Sequence, residues 1–323
     1  MSPKRIALTG VLSLAVLCLH LICPASANSQ AWVPRKGDGS VTFTYQNLAA
    51  HKHVDSHGKR ANVGTDSAQS ILLDFEYGLT DKLAVNADVV YVASKYVGTF
   101  PEGPSDFDRS WHPTLQDAHF SLRYQVRSHP FVLTPFVSVT VPTHRYETSG
   151  HNAAGRHFYE LLIGVNAGRQ LGPILPHCYV HGRYSYAIVE HFAGLNLNRS
   201  NGDLEFGWEA SRKLTFRFVG AWQQTQGGLN FPEEIHPGEE EFEFHDRVLH
   251  ASYFRLGGGA SYSLNKNFDL NLAYAGTVAA KNGVIVGGFA AGFTWRFSRG
   301  YDLSKISAKN SAHSVSTAEA AMF

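Results

Sequence analysis

Histidines and carboxylates at short spacing are the first features of this 323-residue chain that could do chemistry. His51, His53 and His57 share one polar stretch at intervals that suit metal ligation by imidazole. No second cluster of fixed geometry accompanies them, so solvated loop histidines are the plain alternative. Further on come Glu233, Glu234, His236, Glu239, Glu240, Glu241, Glu243, His245 and Asp246. Such a loop offers oxygen donors to a hard cation, which wants about six or more. A solvated acidic loop is the bland reading. His245-Asp246 also has the makings of an acid–base pair for a hydrolase, but the sequence fixes no partner carboxylates for it. There is no Gly-x-Ser-x-Gly elbow. Gly257-Gly258-Gly259 opens no helix and so makes no phosphate loop. The sequence therefore assigns no catalytic residue, no metal and no cofactor.

The elements that must position these groups are strands. Apolar residues recur with period two: Ile71, Leu73, Phe75 and Tyr77; Leu83, Val85, Ala87, Val89 and Tyr91; Ala118, Phe120, Leu122 and Tyr124; Leu204, Phe206 and Trp208; Leu214, Phe216, Phe218 and Trp222; Phe268, Leu270, Leu272 and Tyr274. Strands are predicted near 40–48, 68–79, 82–95, 115–127, 131–142, 157–169, 177–189, 202–211, 213–224, 249–264, 267–279 and 283–297. Tight polar turns at Thr80-Asp81-Lys82, Arg127–Pro130, Ser211-Arg212-Lys213 and Asn265-Lys266-Asn267 alternate with long polar stretches at 50–66, 97–113, 143–156, 191–201 and 225–247. This turn-about predicts an all-β fold, an antiparallel transmembrane β-barrel of about twelve strands, with short periplasmic turns and long extracellular loops. A soluble sandwich would also alternate, but the rows opposite the apolar ones are too charged to form a second packed face. Tyr77, Tyr91, Tyr124, Trp208, Trp222 and Tyr274 end the apolar rows where an interfacial girdle belongs.

The N-terminus sets the compartment. Lys4 and Arg5 precede an apolar run from Ile6 to Cys23, and Ala25-Ser26-Ala27 supplies the small residues of a cleavage site. Residues 1–27 thus read as a signal peptide, with an uncleaved anchor as the alternative. Residues 28–39 read as a periplasmic lead-in, 40–297 as the barrel and 298–323 as a disordered tail rich in Ser, Ala and Lys. Mean hydropathy is −0.17, which a barrel permits because its lipid-facing residues are interleaved with polar ones. A formal charge of +1 gives no footprint for nucleic acid. After signal removal Cys178 stands alone, so no intrachain disulfide can form.

With the apolar rows facing lipid, the opposite rows face the interior. They carry Asp74, Glu76, Asp88, Arg123, Glu160, Arg183, Asp203, Glu205, Glu209, Arg217, Arg255, Asp269 and Arg296, the candidate lumen-lining set. A twelve-stranded barrel has a backbone radius of roughly 12 Å, so inward side chains leave a narrow wet passage in which charges stay hydrated or paired. The set reads either as a selectivity lining or as a structural salt-bridge network. By strand order, Arg296 is expected to lean toward Asp74, Glu76 and Asp88, and Arg183 toward Glu160 or Asp203.

Gly292-Phe293-Thr294-Trp295-Arg296-Phe297 resembles the insertion signal read by the barrel-assembly machinery, although residues 298–323 follow it. Ala31-Trp32-Val33-Pro34 with Gly37-Asp38-Gly39-Ser40-Val41, and Glu76-Tyr77-Gly78-Leu79-Thr80-Asp81-Lys82-Leu83, resemble the opening and first periplasmic turn of the MetA-pathway phenol-degradation family of outer-membrane transporters. Where that family has a Gly-Asp pair entering its fourth strand, this chain has Leu115-Gln116-Asp117. The resemblance implies a bacterial outer-membrane protein that passes small molecules, often aromatic or apolar.

The expected function is thus an outer-membrane channel for a small-molecule solute, not an enzyme. Its expected partners are outer-membrane lipid, lipopolysaccharide and the assembly machinery. A closed barrel that binds through its extracellular loops is the alternative, with a rim hydrolase behind it.

Overall fold

The computed structural model describes residues 31–62, 64–98, 104–236 and 244–298. The predicted signal peptide and almost all of the C-terminal tail lie outside these residues. Among the described residues the long strands are β1 (Gly39–Val54), β3 (Gly64–Gly78), β4 (Leu83–Gly98), β5 (His112–Tyr124), β6 (Val132–Pro142), β7 (Glu160–Gln170), β8 (Cys178–Val189), β9 (Arg199–Glu209), β10 (Leu214–Thr225), β11 (Ser252–Ser263), β12 (Phe268–Lys281) and β13 (Gly283–Phe297). A two-residue strand, β2 (Arg60–Ala61), pairs with the end of β1. Every long strand pairs antiparallel with its chain neighbours, and β13 pairs with β1 from Gly39↔Phe297 to Val54↔Gly283. The sheet is therefore a closed barrel without a free edge, as a backbone crossing hydrocarbon requires. No helix among the described residues is long and apolar enough to cross a membrane; the crossing elements are strands.

The pleat sorts the side chains. Ile71, Leu73, Phe75, Phe120, Leu122, Phe218, Leu256, Leu270 and Leu272 all stand exposed on the outer surface, Leu272 at 63%. In water such a band would be untenable, whereas lipid is its natural solvent. Tyr91, Tyr124, Trp208, Trp222 and Tyr274 are exposed on the same surface.

The strand β1 runs six residues further than the predicted 40–48. Leu48 and Ala50 keep the inward rhythm, and a bulge at His51 lets Lys52, His53 and Val54 pair with Ile285, Val284 and Gly283. The predicted long stretch 50–66 therefore shrinks to a connection that carries β2. The turn between β12 and β13 is the single residue Asn282, at φ 45°. Its carboxamide accepts from Phe231 N at 3.0 Å and donates to Asn230 Oδ1 and His250 O, tying the turn to the long loop before β11.

The lead-in enters the periplasmic mouth. Ala31 is fully buried, and its carbonyl accepts from Thr134 Oγ1 at 2.5 Å. The Trp32 ring lies against Gly168 of β7, where an added Cβ would come within 2.6 Å of the indole, and meets Tyr179 edge-on at 6.3 Å. Gly78 packs on the backbone of Pro34 and Arg35, and Gly37 N donates to its carbonyl. The two stretches Ala31–Val41 and Glu76–Leu83 thus meet at one place.

Candidate functional site

The interior falls into two levels. Toward the periplasm it is charged. Arg123 of β5 donates to Glu76 of β3 across the width of β4, and both are almost completely buried. Asp74 and Asp88 face one another in the β3–β4 register, and His119 Nδ1 lies 2.7 Å from Asp88 Oδ1. Arg183 stands opposite Asp203 in the β8–β9 register, with its guanidinium 4.3 Å from the centroid of the Phe136 ring. Tyr179 donates to Glu205 at 2.6 Å, and Arg217 reaches Asn271 Oδ1 at 3.5 Å. Arg296 is paired with Asp269 at 2.7 Å. Glu209 ends β9 at the periplasmic side, exposed.

Toward the outside, Glu160 at the head of β7 accepts from Arg199 at the head of β9. Arg255 is buried over the Tyr253 ring and donates weakly to Thr277 Oγ1 at 3.4 Å. This level also holds apolar clusters among its buried polar groups, because long loops fold inward onto the inner wall. Ala154 of loop 143–159 joins Leu48, Ala68, Val92 and Ala290. Phe158 and Leu197 join Ala187 and Val189 of β8. Phe231, Ile235, Val248 and Leu249 of loop 226–251 join Ala50, Tyr253, Val284 and Val286. Each loop buries apolar surface that a solvated loop would leave wet, which holds it inside.

Arg247, in the short helix α1 (His245–Val248), lies where these loops meet. Its guanidinium sits 3.8 Å from the Phe192 ring centroid and 4.6 Å from that of Phe158, and it donates to His157 O at 3.4 Å. Burial pulls its pKa down. In loop 143–159, Tyr146 donates to Asp117 Oδ1 at 2.5 Å; burial and that neighbouring carboxylate push the phenol up. Asp117 is therefore the anchor of an inward loop. Irregular pairing between β4 and β5 brings both Gln116 and Asp117 inside.

Several expectations change on this geometry. Arg296 does not lean toward Asp74, Glu76 or Asp88, because Asp269 on the adjacent strand is within hydrogen-bond reach. Glu160 is engaged by Arg199, leaving Asp203 as the acid opposite Arg183. The histidines of the first loop separate. His51 points to Thr65 and is exposed, and His57 pairs with Glu233 in solvent. His53 turns inside, 3.0 Å from Asp66. The Glu233 carboxyl is held low by the hydrogen bond it accepts from the Ser56 hydroxyl. Glu239, Glu240, Glu241 and Glu243 lie outside the described residues. His245 and Asp246 are buried beneath the loops and are not displayed on a rim. The candidate lumen set omitted His119, His181, Arg199 and Phe136; the period-two count places His119 on the inner row, and extending it to His181 and to β6 would have found two more.

No family model matches the chain, and no curated protein matches its sequence. Among solved structures, an outer membrane channel from Pseudomonas putida F1 superposes with a TM-score of 0.64 at 12% identity, covering 84% of this chain and 100% of that one. The toluene transporter TodX of P. putida overlaps less well, with a TM-score of 0.43 at 11% identity over 83% and 92%. The NanC porin reaches 0.46 at 8% identity over 79% and 98%. The chain has the closed twelve-stranded fold of an outer-membrane β-barrel.

Proposed function

We propose that this chain is a bacterial outer-membrane channel for small molecules, aromatic or apolar ones among them. The observation that carries the reading is the two-level interior: an extracellular half in which inward loops build apolar clusters, above a periplasmic half of mixed charge. An apolar solute leaving water gains by entering the first level. The second level keeps the path hydrated and presents opposed charges, which favour a small polar or amphipathic solute over a wholly apolar one. The fold shared with an outer membrane channel supports the same reading. The thirteen charged residues expected to line the path act here as its lining and its frame together. Export by a cleaved signal and insertion by the assembly machinery belong to this proposal.

Uptake into proteoliposomes tests it. A small aromatic acid should enter several-fold faster than a disaccharide. Equal rates for both would contradict a role for the apolar clusters of the upper level. The inward loops also favour a second reading, a barrel held shut that binds through its outer surface; absence of uptake for either solute would support that instead.

A further inference from the structure

Three residues from three separate segments meet at the extracellular end of the barrel. His53 comes from the extended end of β1, Asp66 from β3, and His151 from loop 143–159. All are buried, His151 at 1% exposure. His53 Nε2 lies 3.0 Å from Asp66 Oδ2, and His151 Nδ1 lies 3.3 Å from Asp66 Oδ1. One donor atom from each lies within 4.8 Å of the other two. A zinc-type ion with bonds of about 2.0–2.2 Å sets its ligand atoms about 3.3 Å apart, so small side-chain rotations would complete the set.

The supporting groups are those a ligand needs. Asp106 accepts from the backbone N–H of His151 at 2.8 Å and of Asn152 at 2.9 Å. Ser94 donates to Asn152 O at 2.7 Å, and Asn152 Nδ2 donates to Ser105 O. The Tyr96 ring stacks on the His151 imidazole at 3.9 Å, nearly parallel. His151 is therefore fixed by contacts from β4 and the neighbouring loop, and not by Asp66 alone. Such outer contacts orient ligating histidines in metal sites.

We propose that His53, Asp66 and His151 bind a divalent transition-metal ion of the zinc class. Two imidazoles and one carboxylate suit a borderline ion and not calcium or magnesium, which require a shell of oxygens. Three protein ligands leave one position for water or a donor atom of a solute. Bound there, the ion staples loop 143–159 to the wall formed by β1 and β3.

The test uses the full-length, folded barrel in detergent after chelator treatment, titrated with Co2+ and then Zn2+. The expected result is one equivalent of Co2+ with a visible d–d absorption, displaced by Zn2+. His53→Gln and His151→Gln should each weaken binding at least tenfold while the gel mobility of the folded form is kept, and His57→Gln should leave it unchanged. Should a glutamine variant fail to fold, His53→Cys serves in its place, and a thiolate-to-cobalt charge-transfer band is then expected. No stoichiometric Co2+ in the wild type overturns the proposal and leaves a hydrogen-bonded His–Asp–His cluster. So does binding that survives both His substitutions, or absence of the charge-transfer band in folded His53→Cys.

Discussion

The guanidinium of Arg247 lies 3.8 Å from the centre of the Phe192 ring, with the Phe158 ring also beside it at 4.6 Å. One cation thus joins loop 226–251 to loop 190–198 and to the end of loop 143–159. A desolvated cation–π contact contributes about 2 kcal/mol, enough to set how often the loops part. Arg247→Ala is expected to raise mean single-channel conductance or open time, with Arg247→Lys between it and the wild type. Identical current traces for all three proteins would remove Arg247 from any gating role.

The buried pair of Glu76 and Arg123 frames the periplasmic level. Removing one member of a buried pair costs about 3–5 kcal/mol, whereas an apolar replacement of both is often neutral. Glu76→Gln should therefore lower the unfolding midpoint in denaturant, and Glu76→Gln with Arg123→Met should recover most of the loss. A double variant as unstable as the sum of the two singles would mean that the groups are not coupled.

Leu73 and Phe218 face outward, Phe218 at 61% exposure. Leu73→Arg and Phe218→Arg place a guanidinium in hydrocarbon at about 2–4 kcal/mol, and should impair assembly as read by heat-modifiable gel mobility. Arg217→Gln, on the inner row, should assemble normally. Equal behaviour of inner and outer substitutions would contradict the assigned facing.

The barrel was legible in the sequence because each strand repeats its own sidedness locally. Leu73 beside Asp74, or Phe218 beside Arg217, states which way the pleat points without any knowledge of neighbours. Partners were not legible. Strand stagger, and not strand order, decides that Arg296 meets Asp269 and that Glu160 meets Arg199 two strands away. The inward loops were hidden for a related reason: Leu197, Phe158 and Ile235 look like sparse apolar residues in polar connections until the inner wall they cover is in place. His53 was read as a loop residue because the bulge that carries β1 past His51 has no local signature.

Charge removal inside the periplasmic level should be visible as selectivity. Arg296 neutralises Asp269, and Arg217 lies over Asn271 beside it. Arg217→Ala with Arg296→Ala leaves the acids in excess and should shift the reversal potential under a salt gradient toward cations. An unchanged potential in a folded, conducting double variant would place these arginines in the frame and not on the path.

The central claim is that the barrel conducts. Purified wild-type protein inserted in a planar bilayer under a steady voltage should give discrete current steps of uniform size, small as befits a twelve-stranded barrel with inward loops. Arg247→Ala should give larger or longer ones. Persistent silence from both proteins, with folded barrel verified by gel mobility, would contradict the channel and leave a closed barrel acting through its loops.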